Sequence, residues 1–217
     1  MSKPITILVA DDHPLFRKGL VDVLRADAEL KVIQEVGDGA QALRLLKELR
    51  PAVAVLDIEM PQRDGLQVAA EAQRLHLATE LIFITAYKDP ETFDAAMDLG
   101  VKGYVLKESA VTDIVAGIKS VARGERYISP SLSGFLFRRT ERARTLRTQH
   151  PGLDDLTPAE RRILKLISLD RTSKEIADEL GVSYRTIENH RANIGRKLKL
   201  QGSHSLLKFA YDNKAKL

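Results

Sequence analysis

The sequence predicts an α/β domain on a doubly wound, five-stranded parallel sheet, followed by an all-α domain of four helices. Three observations carry this. Up to residue 122, short apolar runs alternate with amphipathic helical patterns, which argues for a parallel sheet covered by helices on both faces. From residue 153 onward every apolar stripe has helical spacing. Charge divides the same way: 14 Lys and Arg against 19 Asp and Glu in 1–122 (net −5), then net +5 in 123–150 and net +4 in 151–217. An acidic first part joined to a basic remainder fits two jobs, one with a polyanion as partner; a chance difference between the parts would look the same in isolation.

The strands expected are Ile5–Ala10, Leu30–Val36, Val53–Leu56, Leu81–Ile84 and Gly103–Leu106. Apolar runs of this length and composition read as buried parallel strands. The intervening helices are His13–Ala26, Ala40–Leu49, Gly65–Leu75, Pro90–Leu99 and Val111–Ala122. Gly100 stands where a helix C′ residue belongs, just before the last strand.

Residues 123–152 read as a linker punctuated by Gly124, Pro130, Pro151 and Gly152. Leu132, Phe135 and Leu136 at helical spacing give it one helix; Arg138, Arg139, Arg142, Arg144 and Arg147 read as its solvated face. The last domain, 153–217, opens with Thr157-Pro158-Ala159-Glu160, a capping box with Pro at the first helical position. Ile163, Leu164 and Ile167 form its buried stripe. Thr172-Ser173-Lys174-Glu175 is a second capping box, opening a short helix with Ile176, Ala177 and Leu180 that Gly181 ends. Ser183 caps a third helix with Ile187, Ile194 and Leu198 inward, and a last helix holds Leu206, Leu207 and Ala210.

Composition excludes several classes of chemistry. With no Cys there is no disulfide, thiol or Cys-ligated zinc. The N-terminus is polar and leads into a strand, so no signal peptide is expected. No apolar run approaches the roughly 20 residues that cross a bilayer. The protein is expected to be soluble and cytoplasmic, with no membrane partner.

Polar residues end four of the strands: Asp11 and Asp12 after the first, then Asp57, Thr85 and Lys107. In an open α/β sheet, ligands bind at the carboxyl ends of the strands. Three acids, a hydroxyl and an amine would therefore converge on one cleft suited to a divalent cation and a phosphoryl group. Mg²⁺ takes one or two carboxylates together with phosphate oxygens. A carboxylate can attack phosphorus, and phosphoryl transfer needs little beyond alignment and neutralised charge. A lone strand-end Asp is more often a loop cap; five such positions together are not explained by capping. His13 reads as the start of the first helix rather than as a metal ligand, and His76, His150 and His204 are isolated.

In the second domain, helix 172–180, a turn at Gly181-Val182 and helix 183–198 have helix-turn-helix spacing. The outward residues of the longer helix are Arg185, Glu188, Asn189, Ala192, Asn193 and Arg196. Glu accepts from a cytosine amino group and Asn pairs with adenine; Thr186 and Lys174 are placed to hold flanking phosphates. Spacing alone fits a helical bundle with a polar face equally well.

The pieces Val9-Ala10-Asp11-Asp12-His13-Pro14, Leu56-Asp57-Ile58-Glu59-Met60-Pro61 with Asp64-Gly65, Ile84-Thr85-Ala86 and Val105-Leu106-Lys107-Glu108 resemble the receiver domain of bacterial two-component response regulators. Leu156-Thr157-Pro158-Ala159-Glu160-Arg161, Ser173-Lys174-Glu175-Ile176-Ala177, Leu180-Gly181-Val182-Ser183, Thr186-Ile187-Glu188-Asn189-His190-Arg191 and Lys197-Leu198 resemble the LuxR-type DNA-binding domain. Together they resemble the NarL/FixJ class, which implies a flavodoxin-like sheet and a helix-turn-helix domain. The resemblance implies that Asp57 accepts a phosphoryl group from a sensor histidine kinase. It implies that Asp11, Asp12, Asp57 and the backbone carbonyl of Glu59 hold Mg²⁺, that Thr85 and Lys107 grip the phosphate, and that Tyr104 is the switch aromatic. Implied partners are double-stranded promoter DNA, a second copy of the chain once phosphorylated and, as a candidate, RNA polymerase. Many members carry Lys where this chain has Glu188, which leaves the target sequence open. Two competing readings stand beside this one: a phosphatase using Glu59 as second acid, and a constitutive DNA-binding protein whose first domain only dimerises.

Overall fold

The computed structural model describes residues 3–202, 204–214 and 217. Backbone contacts divide the chain into two units, Met1–Phe135 and Leu136–Leu217. The first runs β1 (Ile5–Ala10), α1 (Pro14–Arg25), β2 (Leu30–Val36), α2 (Gly39–Leu49), β3 (Val53–Asp57), α3 (Gly65–Arg74), β4 (Glu80–Thr85), α4 (Pro90–Asp98), β5 (Gly103–Leu106) and α5 (Ala110–Ala122). Each helix end lies within one residue of its expected position.

Side-chain alternation along the strands builds two cores. Leu8, Ala10, Leu56 and Phe83 face one way, against Leu43 and Leu46 of α2, Val68 of α3 and Phe93 of α4. Ile7, Val9, Val53, Val55, Ile82 and Ile84 face the other, against Leu20 and Leu24 of α1 and Ile114 and Ile118 of α5. Successive strand residues point to opposite faces, so a continuous apolar run is what a sheet covered on both sides requires. Short polar caps start the helices: Asp38 accepts from Gln41 N at 2.8 Å, Asp89 from Thr92 N at 2.7 Å, and Asp64 forms a capping box with Gln67. Gly100, at φ +77°, takes the left-handed conformation that ends α4.

All strand pairs are parallel, and with a short β6 (Tyr127–Ile128) at one edge the order is β2-β1-β3-β4-β5-β6. The sheet therefore winds outward in opposite directions from β1 and β3, and the crevice between their carboxyl ends is the expected binding place. The sixth strand, β6 (Tyr127–Ile128), comes from the segment read as linker and pairs Gly103 with Tyr127 and Tyr104 with Ile128. Two residues are too few to carry a periodicity.

Next come α6 (Ser133–Gln149), α7 (Pro158–Ser168), α8 (Ser173–Leu180), α9 (Tyr184–Lys197) and α10 (Ser205–Asp212). Both capping boxes form, Thr157 with Glu160 and Thr172 with Glu175. Ser183 accepts from Thr186 N at 3.1 Å at the head of α9. Gly181, at φ +66°, ends α8. Leu146, Leu156, Ile163, Ile167, Ile176, Ile187, Ile194, Leu206 and Ala210 share one core, whereas Leu207 faces outward. A Cβ on Gly152 would meet the Lys197 carbonyl oxygen at 2.0 Å, so only glycine lets the chain before α7 pass the end of α9.

Candidate functional site

Asp57 and Thr85 are the last residues of β3 and β4, and Lys107 follows β5 at the head of a 3₁₀ turn ending at Ser109. The register pairs Ala10 with Leu56, Asp57 with Ile84 and Thr85 with Leu106. The side chains that end these strands are thus neighbours. Asp11 is 0% exposed and Asp57 3%. Lys107 Nζ lies 2.6 Å from Asp57 Oδ2 and 2.8 Å from Asp11 Oδ2, so one ammonium bridges two buried carboxylates. The same ammonium stands 4.8 Å from the centre of the Phe16 ring.

Burial pushes the Asp57 carboxyl above its ordinary range, and Asp11 adds to the rise; the hydrogen bond and charge of Lys107 oppose it only in part. Burial would lower the Lys107 ammonium, but its bonds to Asp11 and Asp57 outweigh burial and raise it. Three carboxylates and one ammonium leave the site two charges negative. Asp11 Oδ2 and Asp12 Oδ1 are buried atoms without a hydrogen bond of regular geometry; the Lys107 ammonium stands 2.8 Å from the first and the His13 imidazole Nδ1 2.7 Å from the second. Buried acceptors in this condition, with oxygen donors throughout, fit a hard divalent cation. Glu59 has an exposed side chain, but its backbone is beside Asp57, with its N–H directed at Oδ1 at 3.4 Å.

Thr85 is buried, and its Oγ1 accepts from Tyr87 N at 3.1 Å. Tyr104 is turned inward and is 1% exposed. Its ring meets Phe93 edge-on at 5.1 Å and Phe83 at 6.4 Å. Burial, with the charge of Asp89, raises its phenol far above the ordinary value. Thr85 and Tyr104 share the wall of an open cleft of about 290 Å³ with Ile58, Glu59, Tyr87 and Thr92. The structure thus gathers Asp11, Asp12, Asp57 and Lys107 in one cluster, with Thr85 at the end of the neighbouring strand β4. It adds a cluster the sequence does not announce, Ser109, Asp113 and Ser129, beside the turn that carries Lys107.

In the second unit, Arg185, Glu188, Asn189, Ala192 and Arg196 are exposed along α9, with Thr186 and Asn193 half-buried and Lys174 exposed on α8. Several are already engaged. Thr186 Oγ1 is 2.8 Å from Ser183 Oγ, Asn193 Oδ1 accepts from Arg196 at 2.5 Å, and Glu188 lies 3.9 Å from Arg191. Tyr184 and Val182 are also exposed at the head of α9, apolar surface that a search for polar residues passes over.

Residues 7–119 match the response regulator receiver domain family, and residues 154–210 match the bacterial regulatory proteins of the luxR family. The chain is a response regulator. It is 36% identical over 203 residues to the Probable transcriptional regulatory protein NarL of Mycobacterium tuberculosis, covering 91% of each chain. It is 31% identical to the Nitrate/nitrite response regulator protein NarL of Escherichia coli K12, covering 92% of this chain and 91% of that one. The solved receiver domain of the M. tuberculosis NarL is 40% identical and superposes with a TM-score of 0.56, covering 57% of this chain and all of that one. The RcsB–DNA complex is 25% identical with a TM-score of 0.59, covering 98% of this chain and 99% of that one. This regulator therefore joins a receiver to a LuxR-type helix-turn-helix DNA-binding domain and belongs to the proteins that control transcription. Among the described residues no helix is long and apolar enough to cross a membrane.

Proposed function

We propose that this response regulator is switched by Mg²⁺-dependent phosphorylation of Asp57, with a sensor histidine kinase as donor, and that the switch controls dimerisation and sequence-specific binding to promoter DNA. The observation that carries the reading is the Lys107 bridge: an ammonium 2.6 Å from Asp57 and 2.8 Å from Asp11 holds the acceptor oxygen in place. In the transfer, the P–N bond of a phosphohistidine breaks as a P–O bond to an Asp57 oxygen forms. Asp11, Asp12, Asp57 and the Glu59 carbonyl would hold Mg²⁺, which neutralises charge on the phosphoryl oxygens. Lys107 stays paired with the new phosphate, and the Thr85 hydroxyl, which accepts from Tyr87 N and donates to no other group among the described residues, can give its hydrogen to a phosphoryl oxygen. A shift of Thr85 is felt by Tyr104 across the cleft they share. The switch is a bias between pre-existing states.

On the DNA side, Arg185 and Arg196 supply phosphate contacts, Glu188, Asn189, Ala192 and Asn193 face the bases, and Lys174 and Thr186 hold the flanking backbone. Solved relatives include two RcsB dimers bound to two parallel DNAs; a dimer of this chain reading two half-sites follows the same pattern, with RNA polymerase as a candidate downstream partner. The test uses acetyl phosphate with Mg²⁺ on wild type and Asp57→Asn, reading phosphate uptake, mass in solution and DNA affinity. Wild type alone should gain phosphate, dimerise and bind DNA more tightly. Label on Asp57→Asn, or uptake with no change in DNA binding, would overturn the reading.

A further inference from the structure

We propose that Phe93 and Phe135 couple the receiver to the linker helix: a packed run of aromatic rings carries the position of Tyr104 to the head of α6, and so along α6 toward the DNA-binding domain. The inference rests on the reading of Asp57 as the phosphoacceptor, and it gives a role to two residues outside the phosphoryl site.

Tyr104 is 1% exposed, and Phe93 on α4 is fully buried. Their rings meet edge-on, with centroids 5.1 Å apart. Phe93 meets Phe135 in the same way, at 5.8 Å with the ring planes at 61°. Both separations fall within the roughly 4.5–7 Å at which edge-on rings attract. Phe135 is the third residue of α6 and the last of the first unit. It is half-buried against the core that holds Phe83, Phe93 and Tyr104. The rings therefore run from β5 across α4 to α6.

The backbone follows the same route. Tyr104 pairs with Ile128 in the ladder of β5 and β6. The N–H of Ser129 donates to the Tyr104 carbonyl at 3.0 Å, and the N–H of Leu132 donates to the Ser129 carbonyl at 2.8 Å. Leu132 is buried in the same core, directly before α6 begins at Ser133. Tyr104 is thus tied to the head of α6 twice, through the main chain and through side chains.

A close-packed interior has no slack, so a ring that turns leaves a void or a clash and its neighbours follow. Packed cores of this kind move between discrete arrangements rather than deforming continuously. When Thr85 is drawn toward a phosphoryl oxygen, Tyr104 gains room in the cleft the two share. Phe93 has no solvent side to turn into, whereas Phe135 is half-exposed and can yield. The helix that yields with it runs to Gln149 and carries Leu146, which sits in the core of the second unit. Phe137, two residues after Phe135, is 67% exposed and supplies the contrast.

The experiment uses the full chain as wild type, Phe135→Leu, Phe135→Tyr, Phe93→Leu and Phe137→Leu. Each is given acetyl phosphate and Mg²⁺, and phosphate uptake and affinity for a selected duplex are read with and without the donor. Leu keeps apolar bulk and removes the ring; urea melts verify the fold. Wild type should gain DNA affinity on phosphorylation, on the order of tenfold. Phe135→Leu should take up phosphate as wild type does, yet gain no more than about twofold. Phe93→Leu should do the same, and it decides the matter if Phe135→Leu does not fold. Phe135→Tyr, which keeps the ring, and Phe137→Leu should keep the full gain. A full gain in Phe135→Leu, or an equal loss in Phe137→Leu, overturns the proposal and leaves the phosphorylation reading standing. Lost phosphate uptake in Phe135→Leu also overturns it, since the effect then lies at the phosphoryl site. No uptake by wild type, or uptake without a gain in DNA affinity, overturns the proposal and the phosphorylation reading together.

Discussion

Ser129 donates its hydroxyl to Asp113 Oδ2 at 2.7 Å from a wholly buried position. Ser109 donates to the same oxygen at 2.9 Å, and Thr112 to the other at 3.1 Å. Ser109 ends the turn that begins at Lys107, and Ser129 follows β6 directly, with its N–H on the Tyr104 carbonyl at 3.0 Å. One carboxylate thus fastens the start of the linker to the turn that carries a residue of the proposed phosphoryl site.

Asp113→Ala should destabilise the protein by about 2 kcal/mol, since hydrogen bonds to a charged group disappear and a buried hydroxyl is stranded. Burial raises the Asp113 carboxyl, but the bonds from Ser129, Ser109 and Thr112 outweigh it and hold the group below its ordinary value. A depressed carboxylate stabilises fully above the unfolded value of about 3.9 and loses that contribution as pH falls through the folded one. Urea midpoints of wild type and Asp113→Ala should therefore converge on acidification. A constant gap from pH 7 to pH 3 would rule out the carboxylate as its source.

Asp57 has the opposite sign. Its folded carboxyl is raised, first by burial and then by Asp11, so the ionised form costs stability at neutral pH. Asp57→Asn should raise stability by about 1 kcal/mol at pH 7 without divalent cations. The gain should shrink as pH falls toward the unfolded carboxylate value. Thermal melts across that range test it, and a lower melting temperature for Asp57→Asn at pH 7 would contradict the sign.

Glu160 is 3% exposed and joins two functions. It accepts from Thr157 N at 2.8 Å, closing the cap of α7, and from Lys197 Nζ at 2.7 Å, at the last residue of α9. Glu160→Ala should destabilise by roughly 2 to 3 kcal/mol and Glu160→Gln by less. Since Lys197 ends the proposed recognition helix, DNA affinity should fall with the loss of stability. Full DNA affinity at temperatures where Glu160→Ala has begun to melt would separate the two.

Arg185→Ala and Arg196→Ala should each weaken DNA binding and flatten the slope of log affinity against log salt by about 0.9 for every phosphate left without its cation. Arg196 is already bonded to Asn193 Oδ1, so its removal also frees that amide and should alter sequence preference more than Arg185→Ala does. Titrations at four salt concentrations on a selected duplex read both effects, and unchanged slopes in both variants would reject α9 as the recognition helix.

Much of this architecture was legible because the chain repeats local rules. The runs ending at Asp57 and Thr85 are buried on both faces, so they carry a strong apolar signal, and the boxes Thr157–Glu160 and Thr172–Glu175 mark helix starts within four residues. The strand-end acids followed from the same logic, since ends of parallel strands share one edge. What was not legible depends on partners distant in sequence or on very few residues. Tyr127–Ile128 is a strand only because β5 offers it a ladder. Asp113 reads as an ordinary polar position of α5 until Ser129, sixteen residues on, is folded against it. The turn of His13 toward Asp12 is a rotamer, and no spacing encodes it.

The short strand β6 has a consequence for how the protein is made. Until Tyr127 and Ile128 have left the ribosome, Gly103 and Tyr104 present unpaired backbone groups at the rim of an otherwise finished sheet. An open rim of that kind invites strand addition from a neighbouring chain. A fragment cut after residue 122 would keep it open permanently and should aggregate, whereas one cut after Phe135 carries its own cover. A two-residue edge strand offers a neighbouring chain less to pair with than β5 does, so the segment after α5 should also lower the aggregation of the first domain.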